Sequence, residues 1–278
     1  MLLLIDVGNT RIKWAYHAQE VSAASTLRDS GSLREAVLGE IDRVDFAQLA
    51  LLLPFAQIER VLISNVAGAD LQAQLEALLL TRYPEAAIRQ FHALPSCAGL
   101  QNCYQYPEKL GSDRFASSIA ARHLFPEKAL IVATCGTATT IDCVSAQAQF
   151  LGGMILPGLQ TMASSLARNT AQLPEILQGF VQTSVPTAFA LETQQAIRSG
   201  CILAQTGAIH AALKQMAELS GEVPILLISG GAAAYLKSSL DTSLCDRLEH
   251  IDNLVLMGLL VVAQYGETDV AASSAIFS

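Results

Sequence analysis

The sequence predicts an α/β protein built on a duplicated plan, and three observations carry that expectation. Residues 2–15, LLLIDVGNTRIKWA, run from an apolar strand through a short turn into an alternating return strand, Arg11-Ile12-Lys13-Trp14-Ala15. About 130 residues later, ALIVATCGTATTIDCV repeats the arrangement: buried strand, Gly-Thr turn, return strand. Two copies of one hairpin at that separation imply one hairpin per domain. Between and after them, short apolar runs alternate with stretches of helical periodicity, the order of an α/β fold.

The first turn, Val7-Gly8-Asn9-Thr10, follows Asp6. Gly8 lets the backbone bend and approach a ligand, and the N–H groups of such a turn form an anion nest. Asn9 and Thr10 add donors, and Lys13 brings a cation if the return strand curls over the ligand. A lone carboxylate repels phosphate, so Asp6 reads as the holder of a hydrated Mg²⁺ that bridges phosphates. The same residues also fit an Asx-type turn with no ligand.

Composition narrows the function classes. Of 278 residues 51% are hydrophobic and 15% charged, which supports a sizeable core and argues against disorder. The net charge of −8, with no run of Lys or Arg, argues against a nucleic-acid partner. The apolar stretch Ile251 to Tyr265 is broken by Asp252, Asn253 and Gly258, and none reaches the roughly 20 residues of a membrane span. Met1 leads straight into a strand, without the basic and apolar regions of a signal peptide, so a cytoplasmic chain is expected. The six cysteines (Cys97, Cys103, Cys135, Cys143, Cys201, Cys245) are scattered without a C-x-x-C, as reduced thiols are.

Along the first half, the polar stretch His17 to Ser32 is expected to hold a short strand or loop. Leu33 to Leu53 has helical spacing, with a split near Asp45. Arg60 to Val66 reads as a strand, Asp70 as the cap of a helix Leu71 to Tyr83, and Ala87 to Phe91 as another strand. Residues 95–114, PSCAGLQNCYQYPEKLGSDR, form a loop in which Pro107 holds Tyr106 extended. Gly111-Ser112-Asp113-Arg114 then opens a helix, Phe115 to Leu124. That N-terminus is a ready anion site, although Ser112 or Asp113 also reads as a plain cap.

The second half begins near Lys128. After its hairpin, Phe150 to Pro157 continues as a third strand and Leu159 to Ala167 as a helix. Thr187 to Gly200 places Thr193 on a helix ended by Gly200, and Cys201 to Leu219 forms a long Ala-rich helix. Pro224 to Ser229 is a buried strand feeding Gly230-Gly231 and a helix, an arrangement that lets backbone approach a nucleotide. Asp252-Asn253-Leu254 opens the last helix, Val255 to Tyr265. The expected domains are 1–122 and 123–278.

Taken in order, these stretches resemble the type III pantothenate kinase family. The matching pieces are Asp6-Val7-Gly8-Asn9-Thr10, Tyr104-Gln105-Tyr106-Pro107, Gly111-Ser112-Asp113-Arg114, and Gly136-Thr137-Ala138-Thr139-Thr140 with Asp142. Gly152-Gly153-Met154-Ile155-Leu156-Pro157-Gly158, Thr193 in E-T-Q-Q-A-I-R-S-G, and Ser229-Gly230-Gly231 complete the set. None is diagnostic alone, but the ordered set covers nearly the whole chain.

The resemblance implies an actin-like fold, two ribonuclease H-like domains facing each other across a cleft. It implies that Asp6, Val7, Gly8, Asn9, Thr10, Arg11, Ile12 and Lys13, together with Thr137, contact ATP. It further implies that Tyr104, Gly111, Ser112, Asp113, Arg114 and Thr193 contact pantothenate, with Asp113 as the catalytic base. A homodimer using Mg²⁺ and stimulated by K⁺ or NH₄⁺ is expected. The family commonly carries an Asp as monovalent-cation ligand two residues before the second hairpin glycine, where this chain has Thr134. Cys135 beside it reads as a small buried apolar residue. The competing readings are another actin-like phosphotransferase or phosphatase, such as a sugar kinase or exopolyphosphatase, and a non-catalytic regulatory accessory factor.

Overall fold

The computed structural model describes residues 1–16, 33, 36–170, 173–174, 188–241, 243 and 246–268. The chain divides into two compact units, Met1–Pro126 joined by the helix from Leu254, and Glu127–Asn253.

In the first unit, β1 (Leu2–Val7), β2 (Arg11–Tyr16) and β3 (Val37–Asp42) form an antiparallel meander. A 3-10 stretch, Arg43–Gln48, and the one-turn α1 (Leu49–Leu52) lead to β4 (Arg60–Asn65). Helix α2 (Ala69–Arg82) then returns the chain to β5 (Ala87–Gln90). Strand β4 runs parallel to β1, and β5 parallel to β4, giving the order β3-β2-β1-β4-β5. Strand alternation sends Leu3, Ile5, Val7, Ile12, Trp14, Val61 and Ile63 to one face, where Leu71, Leu75 and Leu79 of α2 close the core. The opposite face carries Leu4, Asp6, Lys13 and Ser64, which the strand register sets side by side. A small hairpin, β6 (Ser96–Cys97) and β7 (Leu100–Asn102), and a 3-10 turn Pro107–Lys109 precede α3 (Ser112–Leu124).

The second unit repeats the plan. Strands β8 (Leu130–Cys135), β9 (Ala138–Val144) and β10 (Gln149–Pro157) form the meander. After α4 (Leu159–Asn169) and α5 (Thr193–Ser220), β11 (Ile225–Ser229) joins β8 in parallel. Helix α6 (Ala233–Lys237) and β12 (Leu248–His250) follow, with β12 parallel to β11. Within this unit the strands lie in the order β12-β11-β8-β9-β10. Ile131, Ala133, Cys135 and Ile141 pack against Leu159 and Ala163 of α4 and Ile209, Leu213 and Met216 of α5.

Helix α7 (Leu254–Thr268) closes the first unit, against α3 and the β1–β4 face. Its described side chains from Leu254 to Ala263 are nearly all apolar and buried, the composition of a helix enclosed on every side. The α3–α7 crossing is close: a Cβ on Gly258 would run into the carbonyl oxygen of Ala116. Among the described residues no helix is long and apolar enough to cross a membrane.

The α/β class and the paired hairpins are as expected, and several local expectations are corrected. Residues 37–42 form a strand, not a helix, because β2 offers an open edge whose ladder outweighs helical spacing. The expected split near Asp45 is present as a kink in the 3-10 stretch. Asp70 lies in the first turn of α2, where it favours the helix dipole; the cap residue is Gly68, whose φ of +102° few side chains tolerate. Gly200 does not end a helix. Helix α5 runs through it from Thr193 to Ser220, since an interior glycine costs only about 1 kcal/mol against the packing of the rest. The division falls at Pro126/Glu127 rather than 122/123, and the last helix belongs with the first unit because its apolar surface packs on α3. Residues 17–32 and Thr187 lie outside the described residues.

Candidate functional site

Both units place a glycine-bearing turn at the carboxyl end of their first strand, where open α/β sheets bind ligands. In the first unit the Gly8 N–H donates to the Arg11 carbonyl at 2.9 Å, closing the turn, and Asn9 and Thr10 stand exposed at its tip. The chain after β3 braces it: the Arg43 N–H donates to the Thr10 carbonyl at 2.7 Å, and Arg43 Nη1 to the Asn9 carbonyl at 3.4 Å. Val7 and Ile12 point into the core, so only their backbone is available to a ligand. Arg11 sits on the outer edge in exposed ion pairs with Glu40 and Asp42, 3.1 and 3.4 Å away.

Asp6 lies on the other face with Lys13 as its cross-strand partner. It keeps part of its surface open, yet protein atoms ring the carboxylate closely. That desolvation, reinforced by the negative charge of Asp113 and only partly offset by Lys13, pushes Asp6 up to about 7.

Asp113 is held by the start of α3. Gly111 occupies the cap position without a side-chain cap bond, so neither Ser112 nor Asp113 acts as the plain cap. The Asp113 carboxylate instead turns back over its own helix start. Its Oδ1 accepts the Arg114 N–H at 2.8 Å, and a Cβ on Gly111 would lie 2.6 Å from that oxygen. Burial raises the Asp113 carboxyl above its ordinary range, outweighing the Arg114 N–H and guanidinium. Arg114 is itself buried, and its Nη1 donates to the Tyr104 hydroxyl at 3.4 Å while the guanidinium lies 5.7 Å from the Tyr104 ring centre.

Two residues that sequence reasoning passed over organise this region. Asn102 is buried, donates to the Leu94 and Pro107 carbonyls at 3.1 and 3.3 Å, and accepts the Tyr104 N–H at 3.0 Å, so it shapes the loop that presents Tyr104. Ser64, beside Asp6 on β4, shares a buried 2.8 Å hydrogen bond with the Ser112 hydroxyl. Its signal in the sequence was slight: a hydroxyl at the end of an apolar run, in LISN.

The second unit holds Thr137 exposed at its turn, closed by the Gly136 N–H donating to the Ala138 carbonyl at 3.0 Å. The Thr137 carbonyl accepts the Gly158 N–H at 2.9 Å and the Thr161 hydroxyl at 2.8 Å, locking the turn to α4. Gly230, with φ of +92°, leads the chain past the end of β8, where a Cβ would lie 2.5 Å from the Cys135 carbonyl oxygen. Thr193 is exposed in the first turn of α5. Thr134 pairs with Thr140 and Ser229, so its immediate neighbours are hydroxyls; buried Asp142 lies one pair further along the same face. The Thr140 hydroxyl is buried without a protein hydrogen-bond partner. Cys135 is a core residue as expected, and burial pushes its thiol up to about 12. Among the described residues no cluster of three or more His, Cys, Asp or Glu is arranged to hold a metal.

Residues 2–215 match a family model described as type III pantothenate kinase. A type III pantothenate kinase of Herminiimonas arsenicoxydans is 47% identical over 265 residues, covering 95% of this chain and 97% of the relative. One from Janthinobacterium sp. (strain Marseille) is 43% identical, again over 95% and 97%. Among solved structures, a Campylobacter jejuni protein described as of the Baf transcriptional activator family superposes with a TM-score of 0.57 at 20% identity, covering 96% and 99%. A Sinorhizobium meliloti protein described as a 2-dehydro-3-deoxygalactonokinase gives 0.56 at 15%, covering 95% and 99%. At those identities the two structures speak for the fold alone.

Proposed function

The chain belongs to the type III pantothenate kinase family, and on that premise we propose that it transfers the γ-phosphoryl group of ATP to the primary hydroxyl of pantothenate. The product is 4'-phosphopantothenate, in the first step of coenzyme A synthesis. The observation that carries this reading is a pair of carboxylates in the first unit, Asp6 beside the glycine turn and Asp113 at the start of α3, linked through the Ser64–Ser112 hydrogen bond.

A primary alcohol has no useful acidity at neutral pH. Asp113 accepts its proton as the oxygen attacks phosphorus, and a carboxyl raised above its ordinary range is the stronger base for that step. Tyr104, Gly111, Ser112, Arg114 and Thr193 are assigned to pantothenate, with the Arg114 guanidinium suited to the substrate carboxylate. Asp6, Gly8, Asn9, Thr10, Lys13 and Thr137 are assigned to ATP, with Val7 and Ile12 contributing backbone only. Arg11 is the weakest of the proposed ATP contacts because its guanidinium is engaged with Glu40 and Asp42. One carboxylate with open surface suits Mg²⁺, which keeps several waters and needs one or two carboxylates plus phosphates. Held through water by Asp6, it would neutralise charge on the phosphates.

A monovalent cation at Thr134 would meet neutral hydroxyls, one of them the unpartnered Thr140 oxygen, a weaker donor set than one holding a carboxylate. A cytoplasmic homodimer belongs to the same proposal. The paired carboxylates favour an enzyme over a non-catalytic accessory factor. The test is coupled ADP release with pantothenate, with sugars and with no acceptor. Release that depends on pantothenate is expected; equal release without it overturns the reading.

A further inference from the structure

We infer that Ser64 is a positioning residue for this reaction: its hydroxyl, bonded to that of Ser112, pins the start of α3 to the sheet and sets the spacing of Asp6 and Asp113. The inference rests on the kinase reading of those two carboxylates.

The path between them is short. Asp6 is register partner to Ser64 in the parallel β1–β4 ladder, so the two side chains stand side by side on one face. The Ser64 and Ser112 hydroxyls lie 2.8 Å apart, and Ser112 is joined by one peptide to Asp113. One ladder pair, one hydrogen bond and one peptide thus connect the carboxylates.

The other restraints on Asp113 do not do this. Its bond to the Arg114 N–H lies within α3 and moves with the helix. The packing of α3 on α7 is apolar, and apolar contact fixes separation better than register. A hydroxyl pair is directional and tolerates little sliding. It also sits where hydrophobic residues would serve folding as well, since both serines are nearly fully buried.

The experiment compares wild type, Ser64→Ala, Ser64→Thr, Ser112→Ala and the Ser64→Ala/Ser112→Ala double variant. It measures kcat, KM for both substrates, Tm, and amide hydrogen exchange at the start of α3. A misplacement near 1 Å costs up to about 10²-fold in rate. Ser64→Ala is therefore expected to lower kcat by roughly 10- to 100-fold with both KM values within about threefold. Ser64→Thr, which keeps the hydroxyl, should restore most of the rate. The double variant should be no slower than the worse single, since one bond is lost only once. A kcat within about twofold of wild type, equal loss in Ser64→Thr, or multiplied losses in the double variant overturns the inference. If Ser64→Ala does not fold, Ser64→Cys, which keeps the size and weakens the bond, carries the same comparison. If wild type shows no pantothenate-dependent turnover, the kinase reading falls, and amide hydrogen exchange at Asp113 and Arg114 still decides the pinning: protection unchanged in Ser64→Ala overturns it.

Discussion

In the first unit β1 brings Asp6 opposite Lys13 and beside Ser64; in the second, β8 brings Thr134 opposite Thr140 and beside Ser229. These are the same positions in the same strand order, and only the serine is common to both. The frame is duplicated and the chemistry is not. A desolvated carboxylate needs a nearby cation or an altered pKa, and the first unit has both: Lys13 lies across the ladder and the Asp6 carboxyl is pushed up to about 7. The second unit spends the same positions on hydroxyls, with glycines that admit close backbone approach at Gly158 and Gly230. Its turn is also tied to the helix that follows, through the Thr137 carbonyl.

The helices after the fifth strands differ too. Chain order places α3 after β5 and α7 after β12, yet both belong to the first unit and pack on each other. That unit therefore gains a doubly covered sheet and the helix start that carries Asp113.

The comparison predicts that charge removal in the first unit costs most. Asp113→Asn keeps shape and loses the proton acceptor, so kcat should fall by roughly 10²–10⁴-fold at saturating substrates with Tm retained. Turnover within a few-fold of wild type would remove Asp113 from the mechanism.

Asp6→Asn removes the carboxylate from the position where the second hairpin has Thr134, and its stability effect has a definite sign. Desolvation pushes the Asp6 carboxyl up to about 7 in the fold, from 3.8 for an ordinary Asp. Between those values the native state holds a proton that the unfolded chain has released, so ligand-free stability falls as pH rises from about 4 to about 7 and stays reduced above. The variant should therefore gain up to about 4 kcal/mol at pH 8 and almost nothing near pH 4, while losing activity. Thermal melts at both pH values check this; an equal Tm change at each would show that Asp6 is not the group responsible.

Two helix glycines sharpen the contrast in packing. Gly258→Ala forces α7 off Ala116 and should destabilise by about 1–3 kcal/mol. Gly200→Ala, at an exposed position of α5 with open space around it, should stabilise by about 0.5–1 kcal/mol. Urea unfolding of both tests the pair, and the same sign in each would contradict it.

The smallest effect is expected at Thr134. Thr134→Asp copies the carboxylate of Asp6 into the second unit, adding a charged oxygen for K⁺. The activity curve against KCl, with Tris as background cation, should shift to lower concentration by a few-fold. An unshifted curve would remove Thr134 from any cation site.

Several features were legible in the residues because local physics writes them. The hairpins show as alternation around Gly-bearing turns, α7 as an apolar run from Leu254 to Ala263 interrupted by Gly258, and the loop-to-helix junction as Gly111-Ser112-Asp113-Arg114. The strand 37–42 was not legible, since its state depends on an edge that β2 offers from elsewhere in the chain. Nor was the run of α5 through Gly200, where surrounding contacts offset a weak local penalty.

By itself the sequence determined the α/β class, the duplicated plan, the carboxylates at 6 and 113, and the ordered motifs that mark the family, because each is a matter of residue type and short spacing. Only the tertiary structure decided that Asp113 acts electrically on Asp6, that Ser64 bonds Ser112, and that the last helix completes the first unit. Those depend on which residues of a long chain become neighbours, and burial then sets their energies: a carboxylate that is ordinary in water is raised once its solvent is replaced by protein and a second charge.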